Sequence, residues 1–222
     1  MRALRVANRT KTKIIIYPIK KIKKIFGQPL SERLINWHAS DIARIKLLMK
    51  FGGIYLDRDV YVVQSLDVFR KYEMSLNWEE DWNMSIGTLI AHKNARFLKL
   101  WLETYHDYHP DEWFYNGGVL PTEEVLVKRP ELVHRVKWMF GAEAPDVCPL
   151  LYAKYHKSWS EEFYTIHLSI QGNKLNRWCK GLTYEADNAS ITEFDEKVIV
   201  DLNTTFGEMT RILFDFEKNS IS

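Results

Sequence analysis

Cysteine is scarce in this chain: Cys148 and Cys179 are the only two in 222 residues. Neither stands in a C-x-x-C or Cys/His ligand spacing, which excludes a zinc ribbon and a disulfide-dense scaffold; one disulfide and two buried thiols both stay open. Long apolar runs are also missing. Stretches such as Ile14 to Tyr17 fall far short of the roughly 18 to 20 residues a bilayer span needs, and the opening Met-Arg-Ala-Leu-Arg has no apolar signal-peptide core. So no membrane span is expected in this chain. There is no excess of either charge, with 31 Lys plus Arg against 29 Asp plus Glu, which argues against nucleic acid as the bulk partner. Nine basic residues, Arg2, Arg5, Arg9, Lys11, Lys13, Lys20, Lys21, Lys23 and Lys24, precede the first acidic one, Glu32. They read as the solvated face of a strand and loop. No repeat, low-complexity tract or Pro/Gly/Ser linker interrupts the chain. A single domain over residues 1–222 is expected, with 1–25 as a basic N-terminal segment.

Aromatic residues, by contrast, are plentiful: eight Trp, 11 Tyr and 11 Phe. Each can bury about 150 to 250 Å², enough for a substantial core with some rings left over for a polar ligand. Four N-x-S/T sequons begin at Asn8, Asn83, Asn188 and Asn203. They point to passage through a secretory lumen. Such passage needs a signal or an anchor, so either an N-terminal part is missing or the sequons are accidental, the first being the expectation.

Periodicity gives a coarse element order. Lys13 to Pro18 reads as a strand, followed by an irregular basic stretch to Gly27-Gln-Pro29. Ser40 reads as the N-cap of a helix over 40–51, with Ile42, Ile45, Leu48 and Met49 at helical spacing and Gly52-Gly53 as its left-handed stop. Ile54 to Leu56, Val60 to Val63, Tyr72 to Leu76 and Ile86 to Ala91 read as strands. Asn94 is expected to cap a helix carrying Phe97, Leu98 and Trp101, and Thr122 a short one. Phe206, Met209, Leu213 and Phe216 fall on one side of a last helix. Helices alternating with strands predict an α/β sheet with helices on its faces.

Chemistry concentrates between Ser40 and Asp59, S-D-I-A-R-I-K-L-L-M-K-F-G-G-I-Y-L-D-R-D. Asp57 and Asp59 follow a buried apolar run at the end of a strand, where α/β folds place ligands. A turn there brings both carboxylates towards one cation, and hard oxygen ligands suit Mg²⁺ or Mn²⁺. Asp41 and Arg44 are i and i+3 on the preceding helix and share a face. They form either an ordinary ion pair or a grip on sugar hydroxyls, the carboxylate accepting and the guanidinium donating. Trp37 and Trp113 are expected in the core rather than stacked on a sugar. His38 is expected beside the pocket without a catalytic role.

S-D-I-A-R followed by G-G-I-Y-L-D-R-D-V resembles the signature of the family 32 glycosyltransferases, the sugar-binding region containing a D-x-D motif. Their members include α-1,4-galactosyl- and N-acetylglucosaminyl-transferase relatives and yeast-type mannosyltransferases. The likeness continues more loosely through Ile86 to Leu102, through W-F-Y-N-G-G-V-L-P-T-E-E-V-L (Trp113 to Leu126) and to Ile166-His167-Leu168. The resemblance implies a GT-A-like, Rossmann-type nucleotide-sugar domain. With only 40 residues before Asp41, it is expected to lack part of its N-terminal nucleotide-binding unit.

It also implies metal-dependent, retaining transfer of a hexose from a nucleotide-diphosphate sugar, UDP-linked in the first instance and GDP-linked in the second, to a glycan or glycolipid acceptor. On this reading Asp57 and Asp59 are the catalytic carboxylates and, with His167, hold Mn²⁺ or Mg²⁺. Asp41, Arg44 and the small-residue loop Asn116, Gly117 and Gly118 hold the donor sugar. The Golgi lumen is the expected location if an anchor precedes this chain. A transferase-like protein that binds a sugar or partner without turnover is the alternative.

Overall fold

The computed structural model describes residues 22–141, 147–153, 155–171, 174–175 and 202–219; the strand expected over Lys13 to Pro18 lies outside them. From Ile22 onward the stretch expected to be irregular holds a short hairpin. β1 (Lys24–Ile25) and β2 (Gln28–Pro29) pair antiparallel around Phe26 and Gly27, whose φ angles of 46° and 83° are both positive. Such a two-residue turn matches the twist of a hairpin.

Helix α1 spans Ile35–Phe51, one and a half turns earlier than the apolar spacing predicts. Ser40 is therefore inside the helix and does not cap it. The physical reason is His38: it is fully buried and extends the Ile42, Ile45 and Leu48 stripe by one turn, its ring bonded to the Tyr108 hydroxyl through Nδ1 at 2.6 Å. Gly52 and Gly53 end the helix with φ of 63° and 103°. A side chain on Gly52 would stand 2.7 Å from the Lys93 backbone N, so only glycine lets the chain fold back here.

That reversal feeds β3 (Gly53–Leu56). β4 (Val60–Val62), β5 (Met74–Asn77), β6 (Thr88–Ala91), α2 (Arg96–Thr104) and β7 (His134–Val136) follow. The main sheet has the order β3-β6-β5-β7. It is mixed, since β6 runs antiparallel to β3 and β5 while β7 runs parallel to β5. Beyond it come α3 (Trp159–Glu162), β8 (Thr165–His167), β9 (Ile170–Gln171), β10 (Lys174–Leu175) and α4 (Thr205–Asn219). β8 pairs with β4 in a separate two-stranded sheet.

Strand alternation separates the two faces of the main sheet. Leu89 of β6, with Met74 and Leu76 of β5, joins Ile42, Ile45 and Leu48 of α1 and Phe97, Leu98 and Trp101 of α2 in one core. Ile90 points the other way, to Leu66, Phe69, Val136 and Phe140. Both helices thus cover one face; 3₁₀ turns at Leu66–Phe69 and Trp138–Phe140 cover the second, where the alternation of elements predicted helices. A third cluster gathers Tyr152, Trp159, Phe163, Ile166, Phe206 and Met209. Each fully buried aliphatic side chain contributes about 1.5 to 3 kcal/mol.

Two local expectations are corrected by longer-range partners. Ala95, not Asn94, precedes α2 without a side-chain cap, because Glu73 Oε1 accepts the Arg96 N–H at 2.6 Å from the neighbouring strand. Thr122 caps nothing: it sits in a run of π-helical turns, Tyr115–Val119 and Thr122–Leu126. There it donates to the Gly118 carbonyl at 2.6 Å and accepts the Met84 N–H at 3.0 Å. Leu213 of α4 is half exposed, whereas Phe206 and Met209 are buried. Trp37 and Trp113 are likewise exposed at the surface and outside the core. Cys148 is buried and disulfide-bonded; Cys179 lies outside the described residues.

Candidate active site

The Gly52-Gly53 reversal sets β3 against β6 from Gly53↔Ala91 to Leu56↔Thr88, so the chain leaves the sheet at Asp57 opposite Gly87. Asp57 N donates to the Gly87 carbonyl at 2.8 Å, and the turn closes with Val60 N on the Asp57 carbonyl at 3.1 Å. Strand β4 then starts in the other sheet, Val60 facing His167 and the Asp59 carbonyl accepting the Leu168 N–H at 2.8 Å. The two aspartates therefore straddle the junction between the sheets. Asp57 turns to α1 and Asp59 to β8.

Arg44 is the hub on the first side. Its Nη2 lies 2.9 Å from Asp41 Oδ1 and its Nη1 3.2 Å from Asp57 Oδ1. Nη1 also donates to the Ile86 carbonyl at 2.7 Å, and Nη2 to the Ser40 hydroxyl at 3.4 Å. The guanidinium stands 4.6 Å from the centre of the Tyr55 ring, and the Tyr55 hydroxyl donates to Asp57 Oδ1 at 2.6 Å. The Asp41 and Arg44 side chains are each 6% exposed, that of Asp57 25%. The i, i+3 pair is thus a buried ion pair extended to a third group, well beyond a surface contact.

Burial pushes the Asp41 carboxyl up to about 6, with Arg44 pulling down and Asp57 adding to the rise. Burial works against the Arg44 charge, yet Asp41 and Asp57 together hold it above its ordinary value. Burial likewise moves the Tyr55 hydroxyl up to about 12, so it is a donor at every working pH.

On the second side, His167 Nε2 is 3.3 Å from Asp59 Oδ1, and its Nδ1 lies 3.4 Å from the Ser169 hydroxyl. Burial is the largest single influence on Asp59 and raises it, but the hydrogen bond and charge of His167 together with backbone donors outweigh that and hold it below the ordinary carboxylate value. Burial tends to discharge His167, and the bond and charge of Asp59 more than offset it. Gly87 joins the two sides. A methyl placed there would stand 3.4 Å from His167 Cδ2 and 3.5 Å from Asp57 Oδ2, so imidazole and carboxylate flank the same glycine.

The small-residue segment is buried helix, where a loop was expected. Gly117 faces Asp41: a Cβ there would meet Oδ2 at 3.0 Å and Ile86 Cδ1 at 3.2 Å. Gly118 faces the Phe114 ring. Asn116 is buried with both ends of its amide engaged, Oδ1 accepting the His109 N–H at 2.8 Å and Nδ2 donating to the His109 carbonyl at 2.6 Å. Asp41, Arg44, Asp57, Asp59, His167 and Gly117 are therefore brought together, while Asn116 and Gly118 are engaged elsewhere.

Tyr55 and Gly87 complete the cluster and were not singled out in the sequence. Tyr55 stands two residues before Asp57, on the same side of the strand by its period of two, and that signal identifies it. Gly87 carries no such signal.

Among the described residues no three His, Cys, Asp or Glu side chains are grouped as a ready-made metal centre. A Mg²⁺-type site needs fewer: one or two carboxylates, the rest of the shell coming from phosphate oxygens and water. Asp57 and Asp59 have that chemistry.

With this geometry in place, residues 6–80 match the family described as glycosyltransferase sugar-binding region containing DXD motif. The matched segment holds Asp41, Arg44, Tyr55, Asp57 and Asp59, so the resemblance read from S-D-I-A-R and D-R-D is shown. The chain is 27% identical over 109 residues to glucan organizing enzyme 1 of Cryptococcus neoformans var. grubii, covering 45% of this chain and 29% of that protein. It is 27% identical over 144 residues to lactosylceramide 4-alpha-galactosyltransferase of Rattus norvegicus, covering 65% and 29%. To the same-named protein of Pongo pygmaeus it is 26% identical over 144 residues, covering 65% and 47%. The match thus spans less than a third of the first two relatives and about half of the third. No solved structure matches the chain.

Proposed function

We propose that this chain is a metal-dependent, retaining glycosyltransferase that moves a hexose from a nucleotide-diphosphate sugar, UDP-linked before GDP-linked, to a glycan or glycolipid acceptor. The observation that carries it is the single Arg44 guanidinium joining Asp41 to Asp57, next to an Asp59 already oriented by His167. One relative's name, a galactosyltransferase acting on lactosylceramide, supports the acceptor class. The GT-A-like architecture and the single domain over 1–222 are part of the same reading. The sequons and the family support a Golgi-lumenal location for a protein carrying this segment.

Asp57 and Asp59 would hold Mn²⁺ or Mg²⁺, with His167 beside them; when bound, the ion supplies the positive charge that stabilises the leaving diphosphate. The chain's own residues do the positioning. Arg44 fixes Asp57 and shares the orientation of Asp41, whose Oδ2 faces Gly117 and can accept from a donor-sugar hydroxyl. Tyr55 holds Asp57 Oδ1, the oxygen nearest Arg44, through a proton that it keeps. His167 keeps Asp59 ionised.

The test is incubation of the folded chain with Mn²⁺ and a panel of UDP- and GDP-sugars, following nucleotide release with and without chelator. Chelator-sensitive release from one donor upholds the reading. Absence of release from every donor overturns it in favour of a sugar- or partner-binding relative without turnover.

A further inference from the structure

The loop joining β5 to β6, residues 78–87, belongs to two places at once. Its second end, Ile86 and Gly87, is part of the carboxylate cluster. Its first end walls a groove of about 470 Å³ lined by Trp78, Trp82, Asn83, Glu123 and Arg135, with Glu80 and Asp81 on the same wall. Strands β3 and β5 both run antiparallel to β6, so they finish at the same end of the sheet. Groove and cluster therefore lie towards that end, linked by ten residues of loop.

The loop is held firmly. Lys137 Nζ pairs with Glu80 at 2.7 Å, Met84 is buried with its N–H on Thr122, and Ser85 N donates to the Asn77 carbonyl at 2.9 Å. Trp78 forms the floor: its indole N–H donates to the Trp82 carbonyl at 3.1 Å, and the Arg135 guanidinium covers its ring at 4.0 Å. Trp82, on this pinned backbone, is nonetheless 56% exposed. Among the described residues the side chains of Asp81, Asn83 and Glu123 make no hydrogen bond or ion pair, although they line the same groove.

An aromatic face beside unengaged carboxylate and amide groups matches a neutral polyol: its C–H face stacks on the ring and its hydroxyls donate to the free oxygens. The charge balance disfavours a nucleotide. With Glu80 paired to Lys137, Asp81 and Glu123 stand against one guanidinium that is already placed over Trp78, and a diphosphate there would meet net repulsion.

We propose that this groove is the subsite for the acceptor, a neutral hexopyranose residue stacked on Trp82 and hydrogen-bonded through Asp81 and Glu123. The assignment rests on the transferase reading for its meaning, but its binding is testable without it.

Methyl glycosides of galactose, glucose, mannose and N-acetylglucosamine are titrated into the full chain without metal or nucleotide, and the Trp indole N–H resonances are followed. One glycoside is expected to saturate. Trp82→Ala weakens that binding about tenfold or more and Glu123→Gln, which keeps the side-chain volume, several-fold, while Lys23→Gln titrates like the parent chain. Failure of every glycoside to saturate, or equal binding by all three variants, overturns the subsite whatever nucleotide release shows. Trp82-dependent binding in a chain that releases no nucleotide upholds the groove and counts against the transferase reading.

Discussion

Arg44 Nη1 lies 3.2 Å from Asp57 Oδ1, so one side chain in the middle of α1 is tied to the residue that leaves β3. With Asp41 on its other arm at 2.9 Å, a single cation serves two carboxylates. Removing it leaves the buried Asp41 uncompensated, a change that costs about 3 to 5 kcal/mol. Arg44→Ala should therefore lower the urea midpoint sharply, and adding Asp41→Asn to that chain should recover part of the loss. A double variant no more stable than Arg44→Ala would remove Asp41 as the source of the cost.

The metal prediction separates two charged positions. Asp59→Asn replaces a carboxylate oxygen with an amide nitrogen beside His167 and is expected to abolish chelator-sensitive nucleotide release. Lys23→Gln removes one of the nine N-terminal basic charges, far from the cluster in function, and should leave release nearly intact. Equal loss from both changes contradicts the assignment of Asp59.

Gly117 and Gly87 touch the same cluster with different clearances. A methyl on Gly117 meets Asp41 Oδ2 at 3.0 Å and Ile86 Cδ1 at 3.2 Å, both held from behind, whereas on Gly87 its nearest atoms are at 3.4 Å or beyond. Overpacking of the first kind costs about 1 to 3 kcal/mol. Gly117→Ala should be destabilised by that amount and lose donor affinity; Gly87→Ala should unfold within about 1 kcal/mol of the parent. Calorimetry of the two variants decides, and equal midpoints would mean that Asp41 yields freely.

How far the sequence announces this site depends on how local each contact is. The Asp41 and Arg44 pairing is an i, i+3 matter and follows from spacing, as does the delivery of D-x-D by a strand that begins at two glycines. The rest needs tertiary partners. The Ile86 carbonyl that takes Arg44 is 42 residues away, and Glu73 supplies the start of α2 from another strand. Asn116 reads as a ligand-facing loop residue only until His109 claims both ends of its amide. His38, polar by type, is silenced by Tyr108 and so lengthens α1 by a turn beyond what apolar spacing shows. Trp37 and Trp113 are large and apolar, but size alone does not say which face of an element is covered.

Asp41 sets stability and function against each other through pH. Burial places its carboxyl at about 6 in the folded chain against 3.8 ordinarily. Over that window the folded state holds a proton that the unfolded chain has released, so the Asp41 contribution to stability falls as pH rises from about 4 to about 6 and is constant above. The full shift corresponds to about 3 kcal/mol. On the proposed role, ionisation also makes Asp41 the stronger acceptor for a sugar hydroxyl and lets it pair fully with Arg44, so nucleotide release should climb through the same interval in which stability is given up. Urea unfolding of the parent chain and of Asp41→Asn from about pH 4 to pH 7 should show the variant gaining relative stability up to about pH 6 and no further. A difference that stays flat over this range would mean that Asp41 keeps an ordinary carboxylate value despite its burial, and that the Arg44 clamp costs the fold nothing.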